Sequence, residues 1–405
     1  MKISRDIAII GGGLSGALMA LSCIRYGFSV CVIDAGTTTL QKAPNFDGRS
    51  YAMAYSSVQM LKALGVWQDI KESAQPILDI KISDGVIGEH PSSFMLHFDH
   101  HDLEDGPMGH TIEDRILRPS LQKRLEDSDL VSYLDQTRVY SHETNSSRVT
   151  LRLEGKADAV TAKLAISADG RKSNFAKKAG ISYAGWKYSQ TSLVCALEHE
   201  KPHKAIAYQH FMPPGPLAIL PLTGNRCSIV WTETSENSSA IAKLEDHAYL
   251  EVLRSRFGDF LGEIKLIGKR FSYPLEMSIA KSLVADRVAL VGDAAHGMHP
   301  IAGQGLNAGL RDIAALSQTI KEARERGEEF ATVSVLSRYQ EWRRFDATAL
   351  SLTLDGINNL FSNNIQFLKS ARRVGMGVVN KLPSLKRSLM REAAGLSGKL
   401  PDLMR

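Results

Sequence analysis

Residues 7–34 read IAIIGGGLSGALMALSCIRYGFSVCVID. Ile7 to Ile10 is an apolar run of the length of a buried strand. Gly11-Gly12-Gly13-Leu14-Ser15-Gly16 follows, then an expected helix from about Ser15 to Tyr26. A second strand, Phe28 to Ile33, ends on Asp34, 18 residues past the last glycine. Gly11 permits the tight turn, Gly13 lets a pyrophosphate approach the backbone, and Gly16 lets helix and strand pack closely. Leu14 and Ser15 open the helix, whose free N–H groups favour phosphate. Asp34 can accept hydrogen bonds from an adenosine ribose. The glycines alone are a weak signal; strand, glycines, helix, strand and acid together specify a dinucleotide-binding unit. They do not choose between NAD and FAD.

The next segments do. Asp47-Gly48-Arg49-Ser50 makes a turn, and helical spacing predicts a helix from Ala52 to Leu64, stopped by Gly65. A plain dehydrogenase would place its third strand soon after Asp34. An arginine-bearing loop here instead favours FAD, with Arg49 placed to face a flavin or its pyrophosphate. Ile77 to Ile87 and Phe94 to Phe98 read as short strands, followed by a polar loop from His100 to Gly109. His100, His101, Asp102, Glu104 and Asp105 in that loop lack ligand spacing and a helical frame, so no metal site is assigned. Arg118-Pro119 reads as a helix start, running through Gln122 and Leu125. Val139 to Leu153 and Ala159 to Ser167 read as paired strands, the second ending in Asp169-Gly170-Arg171, a turn suited to a diphosphate.

Ser189–Leu197, Lys204–Phe211, Leu217–Pro221 and Cys227–Thr232 suggest a mostly antiparallel sheet. Gly215 to Leu222 lines a pocket for a greasy ligand or packs in a core, with core packing favoured. A helix is expected near Asp246–Phe257 and a strand near Phe271–Tyr273. Residues 288–312, VALVGDAAHGMHPIAGQGLNAGLRD, then read as strand, turn at Gly292-Asp293, loop from His296 to Ala302, and a helix from Gly303 to about Ala323. Three glycines at a helix start permit close backbone approach. The positive end of that helix suits a flat ring that gains negative charge.

The chain has 405 residues, 43% hydrophobic and 23% charged, ordinary for a soluble globular protein of two or three domains. Residues 368–405 hold nine Lys/Arg against two Asp/Glu, while the whole chain carries +5, so the positive excess sits in this tail. Cys23, Cys31, Cys195 and Cys227 form no C-x-x-C pair and read as reduced core thiols of a cytoplasmic protein. No signal peptide or spanning apolar run is visible. Nucleic acid is excluded as a partner, because the basic tail has no aromatic stacking platform. From Gly356 to Leu385, apolar helix faces mix with Lys369, Arg372, Arg373 and Lys381, a pattern that suits an anionic membrane surface, a partner protein or a solvated face.

Gly11 to Gly16, Asp169-Gly170-Arg171, Gly292-Asp293 and His299-Pro300-Ile301-Ala302-Gly303-Gln304-Gly305-Leu306-Asn307-Ala308-Gly309 occur in this order. The set resembles the single-component flavin-dependent aromatic hydroxylases of the p-hydroxybenzoate hydroxylase fold. The last stretch, with Arg49 in DGRSYAMA and the tail at Asn380 to Arg387, is similar to the ubiquinone-biosynthesis branch. The resemblance covers nearly the whole chain. It implies an α/β fold: a discontinuous Rossmann-like FAD-binding domain (1–75, 110–182, 275–350), an inserted antiparallel substrate domain (76–109, 183–274) and a basic helical region (351–405).

It also implies that Arg49, Arg118 and Gln122 bind the diphosphate–ribityl region, and that Asp293 bonds the ribityl or diphosphate part. Asp169 and Gly170 would serve FAD and a pyridine nucleotide. The flavin ring would lie near Pro300, Gly303, Gln304, Gly305, Leu306 and Asn307. The implied reaction is hydroxylation of a polyprenylated phenol through a C4a-hydroperoxyflavin, with O₂ and transiently bound NADH or NADPH as reductant. The implied partners are the lipophilic phenol and a ubiquinone-biosynthesis complex, with peripheral contact to the inner face of the membrane. A soluble aromatic substrate and a non-catalytic FAD-bound scaffold are the alternatives. No catalytic side chain is assigned; Tyr208, His210 and His296 are candidates for proton handling, each more readily a structural polar group.

Overall fold

A run such as Ile7–Ile10, with no polar side chain, suits a strand covered on both faces. In the computed structural model, Ile7, Ala8 and Ile9 are wholly buried at the centre of a parallel sheet. The structure describes residues 3–37, 46–85, 95–103, 106–155, 159–361, 377 and 379–405. The sheet runs Val131–Leu134, Val30–Ile33, Ile3–Ile10, Ala159–Ser167, Val288–Leu290, all parallel. The helix Leu14–Arg25 connects the first two strands in sequence and packs on the helix Gln304–Glu325. A hairpin, Val139–Thr144 and Val149–Leu153, extends Ala159–Ser167.

A second sheet has eight strands in the order His296–Gly297, Ile264–Ala280, Tyr183–His199, Arg226–Thr234, Gly215–Leu222, Ile206–Met212, Asp79–Asp84, Met95–Asp99. It is antiparallel except where Ile206–Met212 meets Asp79–Asp84. One face closes a core with the helix Asp246–Phe257, in which Trp231, Tyr249, Leu253 and Phe257 are buried. Each such side chain contributes roughly 1.5–3 kcal/mol. Leu217 and Ile219 of the Gly215–Leu222 run belong to this core, the favoured reading.

Some boundaries differ from expectation. Ala52 opens no helix: Ser50–Ala54 is a strand paired with Gly109–Glu113, and the helix begins at Tyr55. The helix holding Arg118 starts four residues earlier, at Asp114, so Pro119 lies inside it. Its start is set by Asp114, a buried carboxylate that accepts from Tyr51 and Arg118. The strand expected at Phe271–Tyr273 is 17 residues long, Ile264–Ala280. At the C-terminal side, Val333–Phe361 and Pro383–Ala393 are helices. Phe94, Glu104, Asp105, Lys369, Arg372 and Arg373 lie outside the described residues. No helix among the described residues is long and apolar enough to cross a membrane. All four cysteines are free and buried.

The two sheets and the long C-terminal helix meet at Asp312, which has no exposure. Its carboxylate accepts from Arg343 Nε at 2.9 Å, His296 Nε2 at 2.5 Å and the Gly292 amide at 3.2 Å. Burial alone would raise the Asp312 carboxyl, but His296 and Arg343 hold it below the usual carboxylate range. Burial alone would lower the His296 imidazole, yet Asp312 lifts it above its ordinary value. The Asp312 contribution is therefore present above the unfolded carboxylate's range and is lost as pH falls through the depressed folded value. The His296 contribution is complete below the free imidazole's value and is lost as pH rises through the raised one. Asp312→Ala strands a buried guanidinium and should cost about 3–5 kcal/mol in urea unfolding at neutral pH. Loss of under about 0.5 kcal/mol, the range of ordinary surface substitutions, would show that this junction does not hold the fold.

Candidate active site

The first glycines sit where a side chain cannot. Gly11 has φ +101°, and a Cβ there would lie 2.5 Å from the Ala168 carbonyl oxygen. A Cβ on Gly16 would lie 1.8 Å from the Gly11 oxygen, so helix and strand touch through this position. Gly13 is different: a Cβ there meets nothing within 4 Å. Its backbone faces open space at the start of the helix Leu14–Arg25, and no side chain caps that helix. Gly12, given no role by the sequence, is as constrained as Gly11. A Cβ there would fall 2.1 Å from the Tyr133 hydroxyl and 2.5 Å from Asp34 Oδ2. Tyr133 donates to Asp34 at 3.2 Å, and the Gly36 amide donates to its other oxygen. Ser15 packs beneath the later motif, where a Cβ on Gly292 would meet its Oγ at 2.8 Å.

Gly12, Gly13, Leu14 and Ala17 share a shallow surface recess with Arg118, Leu121 and Gln122. Two stretches of chain roughly a hundred residues apart thus form one concavity, with a guanidinium opposite an uncapped helix start. Arg118 donates to Asp114 at 2.6 Å, and Gln122 donates to Glu126 at 3.0 Å. Arg49 also reaches Asp114, at 3.2 Å, and pairs with Asp47 at 2.7 Å. Burial lowers and these two carboxylates raise the Arg49 guanidinium, for a net rise. Asp114 and Tyr51 escaped sequence reasoning, because their role depends on a pairing of Ser50–Ala54 with Gly109–Glu113 that spacing does not reveal.

The third region joins two motifs read separately. Arg171 donates to Asp293 at 3.1 Å and to the Met298 carbonyl at 3.3 Å. Asp169 accepts from Ser167, and Gly170 takes φ +84°. Past Pro300, a single 3-10 turn ends on Gly303 in the left-handed region, and the helix Gln304–Glu325 starts without a side-chain cap. A Cβ on Gly305 meets nothing within 4 Å. Leu306 is half-buried, and Gln304 donates to the Ala393 carbonyl at 3.4 Å. The Asn307 amide is used within the protein: it accepts from the Ala54 amide and Ser57, and donates to the Ala52 and Gly303 carbonyls. Asn307 therefore ties this helix start to the strand after Arg49.

Met298 and Ile301 of this loop pack with Phe211, Leu354 and Phe361 into a buried apolar wall, the Phe211 and Phe361 rings 4.3 Å apart. The three proton-handling candidates are not on it. Side chains alternate along a strand. Phe211 points to the wall, whereas Tyr208 packs on the opposite core and stacks with His210. His210 Nδ1 lies 2.5 Å from Ser83 Oγ, and burial pushes its imidazole down to about 4. His296 is engaged by Asp312. On the polar loop, ligand atoms of Asp99, His100 and His101 lie within 4.8 Å of one another, but Asp99 already accepts from His101, and Asp102 pairs with Lys386.

An extended dinucleotide fits this arrangement. Open space at Gly13, two uncapped helix starts, a recess with Arg118 and an acid at Asp34 supply what pyrophosphate, ribose and an electron-accepting ring require. Comparisons with known proteins agree. The FAD binding domain family matches residues 4–351. A ubiquinone hydroxylase, UbiL, of Rhodospirillum rubrum is 39% identical over 403 residues, covering 99% of this chain and 92% of that protein. The 3-demethoxyubiquinol 3-hydroxylase of Escherichia coli is 31% identical, covering 96% and 98%. Among solved structures, p-nitrophenol 4-monooxygenase PnpA of Pseudomonas putida superposes with a TM-score of 0.80 at 18% identity, covering 98% of this chain and 100% of that one.

Gly13→Ala and Gly16→Ala separate ligand contact from packing. Gly13→Ala should leave the flavin-free protein's unfolding within about 0.5 kcal/mol of the parent. It should weaken FAD retention at least tenfold, read by flavin released on gel filtration. Gly16→Ala should lower stability itself. Equal FAD retention in Gly13→Ala and the parent would remove that backbone from the phosphate site.

Proposed function

The chain belongs to the FAD binding domain family, and on that premise we propose that it is an FAD-dependent monooxygenase hydroxylating the aromatic ring of a polyprenylated phenol in ubiquinone biosynthesis. The observation that carries this is the recess that sets the uncapped helix start at Gly13 and Leu14 opposite Arg118 and Gln122. The names of the full-length relatives supply the substrate class. Bound FAD supplies the electron transfer and oxygen activation.

The chain's own residues do the rest. The helix start at Leu14 and the Gly13 backbone would hold the diphosphate, with Arg118 opposite and Arg49 joined to Arg118 through Asp114. Asp34 holds the adenosine ribose. Asp293, oriented by Arg171, addresses the ribityl chain. The uncapped start of the helix Gln304–Glu325 would stabilise negative charge on the ring, an electrostatic contribution of roughly 3 kcal/mol in comparable sites. Phe211, Met298, Ile301 and Leu354 keep water from the reacting ring carbon. NADH or NADPH is the reductant and binds transiently. We assign the discontinuous FAD-binding unit to the sheet centred on Ile3–Ile10 and the inserted substrate unit to the second, mostly antiparallel sheet.

The outer face of the helix Pro383–Ala393 supports peripheral binding to an anionic bilayer, where such a phenol resides. Leu382, Leu385 and Leu389 are exposed by 46%, 41% and 40% and stand one turn apart beside exposed Lys381 and Arg387, while Met390 anchors the opposite face. Each basic residue near such a surface contributes about 1 kcal/mol.

The test is oxygen consumption with reduced pyridine nucleotide and a short-chain prenylphenol. The expected product is the phenol carrying one added oxygen. No product from any phenol, with FAD bound, would leave a non-catalytic scaffold; product only from soluble aromatic acids would move the substrate class. Replacing Leu385 and Leu389 together by Glu should cut cosedimentation with phosphatidylglycerol vesicles about tenfold while leaving turnover of the short substrate unchanged. Undiminished binding would take this helix out of the membrane contact.

A further inference from the structure

We propose that His299 recognises the substrate's phenolic hydroxyl, accepting its hydrogen bond at an imidazole nitrogen and taking its proton as the ring attacks. This rests on the hydroxylase reading and names a catalytic residue within it.

His299 stands between Met298 and Pro300, so the backbone that brings Met298 and Ile301 to the apolar wall also carries this imidazole. It is 2% exposed, and neither ring nitrogen has a hydrogen-bond partner. No other buried histidine among the described residues is in that state: His296 meets Asp312, His210 meets Ser83, and His199 meets the Lys201 carbonyl. Buried polar atoms are nearly always paired, so an imidazole with both nitrogens open, in the loop proposed to face the cofactor ring, points to a partner that arrives with the ligand.

The ring is held in place. Tyr188 packs edge-on against it, with centroids 5.2 Å apart at 84°, and donates its hydroxyl to Asp355 at 2.7 Å. The charged groups facing His299 are Asp355 from the long helix, which raises its proton affinity, and Arg171 from the turn after Ala159–Ser167, which lowers it. Each is engaged elsewhere, with Tyr188 and Asp293. Burial dominates and pushes the imidazole down to about 4, so at neutral pH it is a free base and an acceptor. The step balances without a further reactant. The phenolic O–H bond breaks, its proton goes to the imidazole nitrogen, and the bonding pair stays on oxygen to drive electron density into the ring. The proton returns to that oxygen when the hydroxylated product leaves.

The experiment compares a short-chain prenylphenol with the prenylbenzene lacking the hydroxyl, each titrated against the FAD-loaded protein, the parent and two variants, His299→Gln and His299→Ala. The parent should prefer the phenol about tenfold, and both variants should lose that preference while keeping their FAD and melting temperature. In turnover, the parent rate should be flat from mildly acid to mildly alkaline pH. The variants should become slow at neutral pH and speed up toward the phenol's own ionisation, where solvent has already removed the proton. Variants that keep the tenfold preference, that slow down without the new pH dependence, or that lose FAD overturn the proposal, the last by making His299 a structural group. A parent that makes no product from any phenol overturns the hydroxylase reading instead, and the binding comparison still decides whether His299 senses the hydroxyl.

Discussion

The carboxylate of Asp312 is the point at which the architecture is fastened. It lies on the helix Gln304–Glu325, which starts without a side-chain cap, and it holds three other parts of the chain. These are the Gly292 amide at the end of the last parallel strand, His296 in the strand that joins the second sheet, and Arg343 in the long C-terminal helix. A negative charge in so dry a place is tolerable only because two cationic partners and an amide surround it. That need fixes the angle at which the Gly292-Asp293 turn leaves the sheet, and through it the meeting of Asp293 with Arg171. The glycine at 309 completes the fit, since a Cβ there would lie 2.9 Å from the Gly292 Cα.

What could be read in the chain was chemistry whose reason is local. Gly11 turns the chain, Gly13 leaves open space and Gly16 lets helix and strand touch, all within six residues, so the motif could be read once its flanking strands and helix were read with it. The same holds for the strand, turn and helix of residues 288–312. What could not be read depended on distant pairing. Gly12 needs its missing side chain because of Tyr133, far along the chain. Arg49 and Arg118 were named as cofactor residues, but the acid that orients both, Asp114, shows itself only when two strands pair.

The histidines show the limit most clearly. His296 and His299 lie three residues apart in one motif and look alike on paper. One is consumed by a buried ion pair and the other is left open. Tyr208 and His210 share one face of their strand and Phe211 takes the other, for a reason of parity. In a strand, one residue of register decides the face, and register belongs to the whole sheet. The helix containing Pro119 shows propensity giving way to tertiary need, as Asp114 sets the start.

A site that activates oxygen beside its own polypeptide risks oxidising it. Thiolates are the most vulnerable groups, and susceptibility follows thiolate character and access. Here Cys23, Cys31, Cys195 and Cys227 are all inside, and burial raises every one of them, Cys31 and Cys195 to about 12 and the other two further. They stay protonated and out of reach of any oxidant that escapes the cleft. The packing that gives the two cores their density thus also keeps all four thiols shielded and in their less reactive protonated form.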